Sequence, residues 1–565
     1  MDRLSKYVLL AAAAALGLCW LLPGHYWPWL SFQQELSAAV GALLIGLVIL
    51  VRAAGIAWSP LARWALACST IPLLQWQFGL LRYHSDAILA SLYVGGFALC
   101  IAAGATAVKT RSYDVLATIL GALTFGAVVS VALALMQWQS VQPSYFFDTT
   151  QLGARAWANL GQPNHLASAL AIGVCAILMA FSRQAISGSF SIVMLSWLGI
   201  GLVTTQSRTG YAFVLMLATG LLIFRRRASL PFSPLAVIAS AALFFAAVDL
   251  WPALNATLDM TDAPGLLQRV TTGAYRLTHW QVIVDAILQK PWFGYGWTQV
   301  ALAQHAAVAG YAATGEMLSN SHNIVLDLLV WNGVPIGAAI VGFAAWWFVR
   351  QFKACDSPER FFALAIVCAL TLHAMVEFPL EYAYFLLPLG VAAGTLDGHE
   401  ASVVLAKSSF ASVSFSALWA VLAGMTVWIA AEYVQVESTG RVLRFVAMGI
   451  GTDKVSDAPE PDVFLLDRPK QLHRFMLTPA RKDPDPAYMD WVRFMTMRHS
   501  TPPAMLRHAL VAGINGRAEE AAEVLIRMCK LFKGDSCDQG RASWAELQSG
   551  YPELVSIPYP AVTER

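Results

Sequence analysis

Ala87-Ile-Leu-Ala-Ser-Leu-Tyr-Val-Gly-Gly-Phe-Ala-Leu-Cys-Ile-Ala-Ala-Gly-Ala-Thr-Ala-Val108 carries no charged side chain and is bounded by Asp86 and Lys109. A helix rising 1.5 Å per residue needs about 20 such residues to cross roughly 30 Å of hydrocarbon. Outward from it, similar stretches recur over residues 7–23, 35–51, 61–79, 115–137, 165–182, 188–205, 210–224, 234–250, 324–349, 360–378, 382–397 and 412–431, thirteen in all. With 57% hydrophobic and 13% charged residues and a mean hydropathy of +0.57, the chain has more apolar surface than a soluble domain can hide. The expectation is an all-α, polytopic helical membrane bundle. Its first span follows Arg3 and Lys6 but has no small-x-small cleavage site after it, so Leu21-Leu-Pro-Gly-His-Tyr-Trp27 reads as a retained span ending in interfacial aromatics.

Lysine and arginine orient the bundle. With the N-terminus inside, the cytoplasmic segments hold Arg3, Lys6, Arg52, Arg63, Lys109, Arg111, Arg183, Arg225, Arg226, Arg227, Arg350, Lys353, Arg360 and Lys407. The opposite short loops hold Arg82, Arg155 and Arg208. An odd number of spans then sends the tail outside. This divides the chain into a membrane domain, residues 1–431, whose long external segment 251–323 adds Arg269, Arg276 and Lys290, and a soluble helical domain, residues 432–565.

In that second domain, Met505 to Phe532 has apolar residues on one face either side of Asn515-Gly516, as in one tetratricopeptide-like helical hairpin. Cys529 and Cys537 lie in this external part and are open to a disulfide or to two free thiols. The other six cysteines read as small packing residues. No G-x-x-x-x-G-K-[ST] loop, H-E-x-x-H helix or C-x-x-C pair occurs, so nucleotide and zinc chemistry have no support. Asp483-Pro-Asp-Pro486 reads as a turn. No cofactor or metal and no nucleic-acid partner is expected.

Three polar islands fall on the external side: Ala158-Asn-Leu-Gly-Gln-Pro-Asn-His165, Gln206-Ser-Arg-Thr-Gly210 and Asn320-Ser-His-Asn323. His322 stands at the entrance to the tenth span among N-cap residues, where helix N–H groups face anions and an imidazole can accept a proton. The competing reading is an interfacial histidine bonded to its neighbours. Asp327, one turn deeper, either orients a polar partner or reaches the interface. Arg208 occupies a short turn where cations are sparse, which suits bidentate binding of phosphate, with lipid headgroups as the alternative. Arg276 begins an amphipathic stretch with Trp280 and Val284, and His279 shares its face. Gln162, Asn164 and His165 either bind substrate hydroxyls or simply start a helix. Glu377 and Tyr382 lie in a short external turn, Glu377-Phe-Pro-Leu-Glu-Tyr382, while His373 below it reads as a packed histidine.

Ala158-Asn-Leu-Gly-Gln-Pro-Asn-His-Leu-Ala167, Ser207-Arg-Thr-Gly210, Arg276 with Trp280, Pro291-Trp-Phe-Gly-Tyr-Gly296, and Ser321-His-Asn323 followed by Gly333 and Gly337 closely resemble the bacterial O-oligosaccharyltransferases of the PglL type. These group with the O-antigen ligases and polymerases in one superfamily of membrane glycosyltransferases. The His-Asn-x9-Gly element is common to that superfamily. The Asn-Leu-Gly-Gln-Pro-Asn-His string and the turn ending in Glu381-Tyr-Ala-Tyr384 look particular to the protein-glycosylating branch. Ligases often carry G-x-x-G where Gly333 and Gly337 are four apart.

The resemblance implies transfer of a preassembled glycan, with inversion and without metal, from undecaprenyl diphosphate to a Ser or Thr of an exported protein, commonly a pilin. The enzyme would sit in the inner membrane with its active site and C-terminal domain in the periplasm. It implies His322 as the base that accepts the hydroxyl proton. Arg208 and Arg276 would bind the diphosphate, and Gln162, Asn164, His165, Glu377 and Tyr382 would hold substrate. The alternatives are an O-antigen ligase acting on lipid A core, a transporter of lipid-linked sugar, and a non-catalytic scaffold. A transporter calls for ionisable residues near mid-membrane.

Overall fold

The computed structural model describes residues 3–24, 27–141, 154–260, 274–406, 409–447, 460–483, 485–532 and 534–560. Arg269, Lys407, Pro484 and the His25-Tyr26 pair lie outside the described residues. Among the described residues the regular secondary structure is helical, apart from an isolated bridge between Ile56 and Ala406. Among the described residues, eight helices are long and apolar enough to cross a membrane: Phe32–Arg52, His84–Lys109, Tyr113–Trp138, Pro163–Ser182, Gly188–Thr205, Pro234–Thr257, Ile324–Ala354 and Phe410–Phe445. Arg208–Phe224 and Ala383–Gly398 are shorter apolar helices.

The all-helical class agrees with expectation, but the count of thirteen spans is not reproduced. The segment 61–79 is two short helices, Pro60–Cys68 and Ile71–Gln77. The Ser69 and Thr70 hydroxyls donate back to Leu66 O and Ala67 O at 2.7 and 2.8 Å, and Pro72 has no N–H to carry the ladder on.

The chain forms two compact units. Unit 1 comprises Met1–Ile71, Leu89–Gly265 and Ala344–Ala431. Among the eight long helices the most enclosed is Pro163–Ser182, which is packed by Tyr113–Trp138, Gly188–Thr205, Arg208–Phe224 and Pro358–Ala374. A helix covered on all sides can be apolar all round, which is why Leu166 to Leu178 show no polar face. Close approach elsewhere uses small residues: side chains on Gly390 and Gly398 would come within 2.8 Å of Cys100 Cβ and 2.9 Å of Ala105 O.

Unit 2 comprises Pro72–Ile88, Leu266–Phe343 and Glu432–Arg565. The helices Pro502–Ile514 and Ala518–Leu531 form the expected hairpin, turning at Gly516 with φ +75° and burying Ala509, Ala512, Ala521, Leu525 and Met528. Phe475, Tyr488, Met489, Val492 and Met495 make a core that includes Tyr83 from the 72–88 segment. The buried Asp86 carboxylate accepts from Arg468 at 2.8 Å and lies 3.6 Å from Arg498. Cys529 and Cys537 form a disulfide with Cα atoms 5.1 Å apart.

Candidate active site

In unit 1 the polar residues gather on one asparagine. Gly188–Thr205 ends at Gln206, in the left-handed region at φ +48°, and Ser207 at once caps the next helix by accepting from Gly210 N at 3.2 Å. The chain therefore reverses within two residues and leaves Arg208, the first helical residue, exposed. The Ser207 hydroxyl also donates to Asn164 Oδ1 at 2.7 Å. Arg155, which the sequence marked only as an external charge, donates to the same oxygen at 3.4 Å and to Thr205 O at 3.0 Å. On its other side Asn164 Nδ2 donates to Glu377 Oε1 at 3.4 Å, and Glu377 is buried.

Asn164 and His165 belong to the first turn of Pro163–Ser182. His165 points into an aromatic nest. Its ring meets Tyr382 edge-on at 4.8 Å, with Phe385 at 5.5 Å and His373 at 5.6 Å, and Tyr384 OH is 3.3 Å from its Nδ1. His373 is buried as expected, and its Nδ1 is paired with Ser168 Oγ at 2.7 Å. Gln162 sits at the N-cap without a capping bond, and its Oε1 is buried with no hydrogen-bond partner among the described residues. A buried acceptor of that kind is completed by a donor such as a hydroxyl.

In unit 2 a tight turn presents His322. Its backbone is left-handed at φ +56°, a conformation that side-chain-bearing residues adopt at a cost of about 1 to 2 kcal/mol. Neighbouring bonds hold it there. Ser321 N donates to Asp327 Oδ1 at 2.8 Å and Ser321 O accepts from Trp280 Nε1 at 3.0 Å. Asn323 Oδ1 caps the following helix by accepting from Val325 N at 3.0 Å and Leu326 N at 3.3 Å. Asp327 is thus the orienting partner, buried rather than at the interface. His279, on the helix Ala274–Gln289 that also carries Arg276, is buried and lies 3.8 Å from Glu316. Burial pushes the His279 imidazole below its usual value, Glu316 opposes this, and the charges of His322 and Arg276 push the same way as burial. His279, His322 and Arg276 are therefore electrostatic neighbours within unit 2.

The glycine and aromatic strings of this unit prove to be one interlocking part. Gly333 breaks the helical geometry of Ile324–Ala354 with φ +73°, ψ +171°. The carbonyls of Val330 and Trp331 then accept from Tyr295 N at 2.8 Å and Gly296 N at 3.1 Å, while Val334 N donates to Pro291 O at 2.7 Å. A Cβ on Gly294 would lie 2.6 Å from Gly333 N, and one on Gly333 would lie 2.7 Å from Phe293 N. Gln75 completes the joint, accepting from Trp297 N at 2.8 Å and donating to Trp331 O at 2.9 Å.

Comparison with known proteins agrees with this inventory. Residues 193–341 match the family described as O-Antigen ligase, 156–177 match Protein glycosylation ligase, and 361–546 match Virulence factor membrane-bound polymerase, C-terminal. The chain is 27% identical over 544 residues, 94% of its length and 93% of the relative's, to a general O-oligosaccharyltransferase of Acinetobacter baylyi. It is also 27% identical over 268 residues, 47% of this chain and 48% of the other, to a ComP-specific O-oligosaccharyltransferase of the same organism. The chain is thus similar to membrane glycosyltransferases related to O-antigen ligases. The resemblance to O-oligosaccharyltransferases read from the polar strings agrees with both relatives.

Proposed function

We propose that the chain moves a preassembled oligosaccharide from undecaprenyl diphosphate to a Ser or Thr hydroxyl of an exported protein such as a pilin, at the periplasmic face of the bacterial inner membrane. The membrane domain, residues 1–431, does the chemistry, and the helical domain, residues 432–565, stands in the periplasm. The observation that carries the reading is the His322 turn. His322 has a left-handed backbone, follows Ser321, which Asp327 and Trp280 tie down, and stands immediately before a capped helix N-terminus, a preorganised place for an acid–base group.

His322 accepts the proton of the acceptor hydroxyl as its oxygen attacks the anomeric carbon. The bond to the diphosphate breaks on the opposite face, and the sugar inverts. Arg208 and Arg276 neutralise the leaving diphosphate, a charge-stabilising role that needs no proton transfer. Asn164, His165, Glu377 and Tyr382 shape the binding surface, and Gln162 Oε1 takes a sugar or acceptor hydroxyl.

The test supplies purified protein in nanodiscs with a polyprenyl diphosphate glycan and either a pilin or lipid A core, without nucleotide or added metal. Glycosylated pilin is the expected product. His322→Ala should abolish turnover with donor binding retained, and Arg208→Ala should weaken donor binding. Product on lipid A core alone would make the protein a ligase, and full activity of both variants would overturn the assigned roles.

A further inference from the structure

Glu35 is a buried carboxylate in the first turn of Phe32–Arg52, within a stretch that reads in sequence only as a span. Its two oxygens collect four donors. Oε1 accepts from Trp29 Nε1 at 2.9 Å and Ser31 Oγ at 2.5 Å, and Oε2 from the Tyr93 hydroxyl and from Ala383 N at 3.0 Å. An ionised carboxylate only accepts, so four converging donors suit it better than any neutral group.

The fourth donor is the N–H that opens the helix Ala383–Gly398. That helix begins without a local cap: Tyr382 holds the N-cap position with φ −108° and ψ 125°, and its side chain makes no capping bond. The first N–H groups of a helix lack partners within it, and its N-terminus attracts negative charge. Glu35 supplies both needs from a different helix. The residue fixed at that junction is Tyr382, whose ring lies against His165 and stacks on Phe378 at 6.0 Å.

We propose that Glu35 is a positioning residue for glycan transfer, capping the Ala383–Gly398 helix from another helix of unit 1 and thereby setting Tyr382 against His165. The inference rests on the reading of Tyr382 and His165 as substrate residues. A glutamine cannot replace the carboxylate, because its NH2 must face one pair of donors and lose both bonds.

Glu35→Gln, Glu35→Asp, Tyr93→Phe, Tyr382→Phe and the double variant Glu35→Gln/Tyr382→Phe are compared as full-length protein in nanodiscs. Readouts are transfer kinetics and hydrogen exchange at the amides of residues 382–386. Glu35→Gln should lower kcat by about tenfold to a hundredfold, as misplacement of a substrate contact does, with the donor KM little changed and exchange at Ala383 faster. Glu35→Asp should recover part of both effects. Tyr93→Phe, which removes one donor and keeps the charge, should show the same pattern more weakly, and it carries the test if Glu35→Gln fails to fold. The double variant should be no slower than Tyr382→Phe alone, because groups acting through one another are not additive. Unchanged exchange at Ala383, or losses that multiply in the double variant, would overturn the proposal. Wild-type turnover in Tyr382→Phe would instead overturn the substrate reading on which it stands.

Discussion

Ser321 and Asp327 are six residues apart yet joined by a 2.8 Å bond from the Ser321 N–H to Asp327 Oδ1, so the carboxylate ties down the residue just before His322. Asp327→Ala leaves a buried N–H unpaired, at a cost of about 1 to 3 kcal/mol. It should lower kcat by about tenfold or more through loss of alignment. Asp327→Asn, which keeps an acceptor oxygen, should lose much less. Thermal unfolding and transfer kinetics on the pair check this, and equal losses in both would mean that charge rather than the bond matters.

Gly333 and Gly294 meet backbone to backbone with positive φ at both. Alanine at either position meets main-chain atoms that cannot move aside as a side chain would, and it also carries left-handed strain. Each substitution should destabilise by about 3 kcal/mol or more, read as a fall in Tm. Gly342→Ala, where an added Cβ meets open space, is the control and should change little.

Glu520 joins the two helices of the C-terminal hairpin by accepting from His508 at 3.0 Å, and ties the hairpin to Pro486–Arg498 by accepting from Arg493 at 2.8 Å. His508 first, with Arg493 beside it, holds the carboxyl down at about 2, below its ordinary 4.5. A carboxyl lowered by folding contributes stability that is complete above the ordinary value and is lost as pH falls toward the folded one. The Tm difference between wild type and Glu520→Gln should therefore be constant above pH 4.5, shrink below it, and vanish near pH 2. A difference that persists unchanged at pH 2 would refute the linkage.

The disulfide between Cys529 and Cys537 closes a loop of sequence separation 8. Constraining so short a loop stabilises by about 2 kcal/mol. Reductant should lower the Tm of wild type and leave a Cys529→Ser/Cys537→Ser variant unmoved.

The long helices were legible because lipid rewards unbroken apolar runs, and the hairpin at Asn515-Gly516 because a left-handed turn residue divides two apolar faces. Residues 61–79 misled for the same reason: hydropathy does not register two hydroxyls bonding backwards in front of a proline. Among the site residues, sequence order could show that Asn164, Ser207 and Glu377 each open or close a helix, but not that one amide joins all three. Glu35 and Gln75 escaped notice because each lies at the edge of an apolar run and has partners far along the chain. An ionisable residue inside an otherwise apolar segment was the signal available for Glu35.

The bridge at Asn164 also limits how this sequence can drift. Its amide presents oxygen to Ser207 and nitrogen to Glu377, so it is read in one direction. An aspartate there would set a second carboxylate against Glu377, and an inherited change to Gln-Pro-Asp-His would have to arrive together with a neutral or basic residue in the distant Glu377 turn. The two strings are in this sense a single heritable character, and hybrids between relatives that cut between them should fail even where each half is sound.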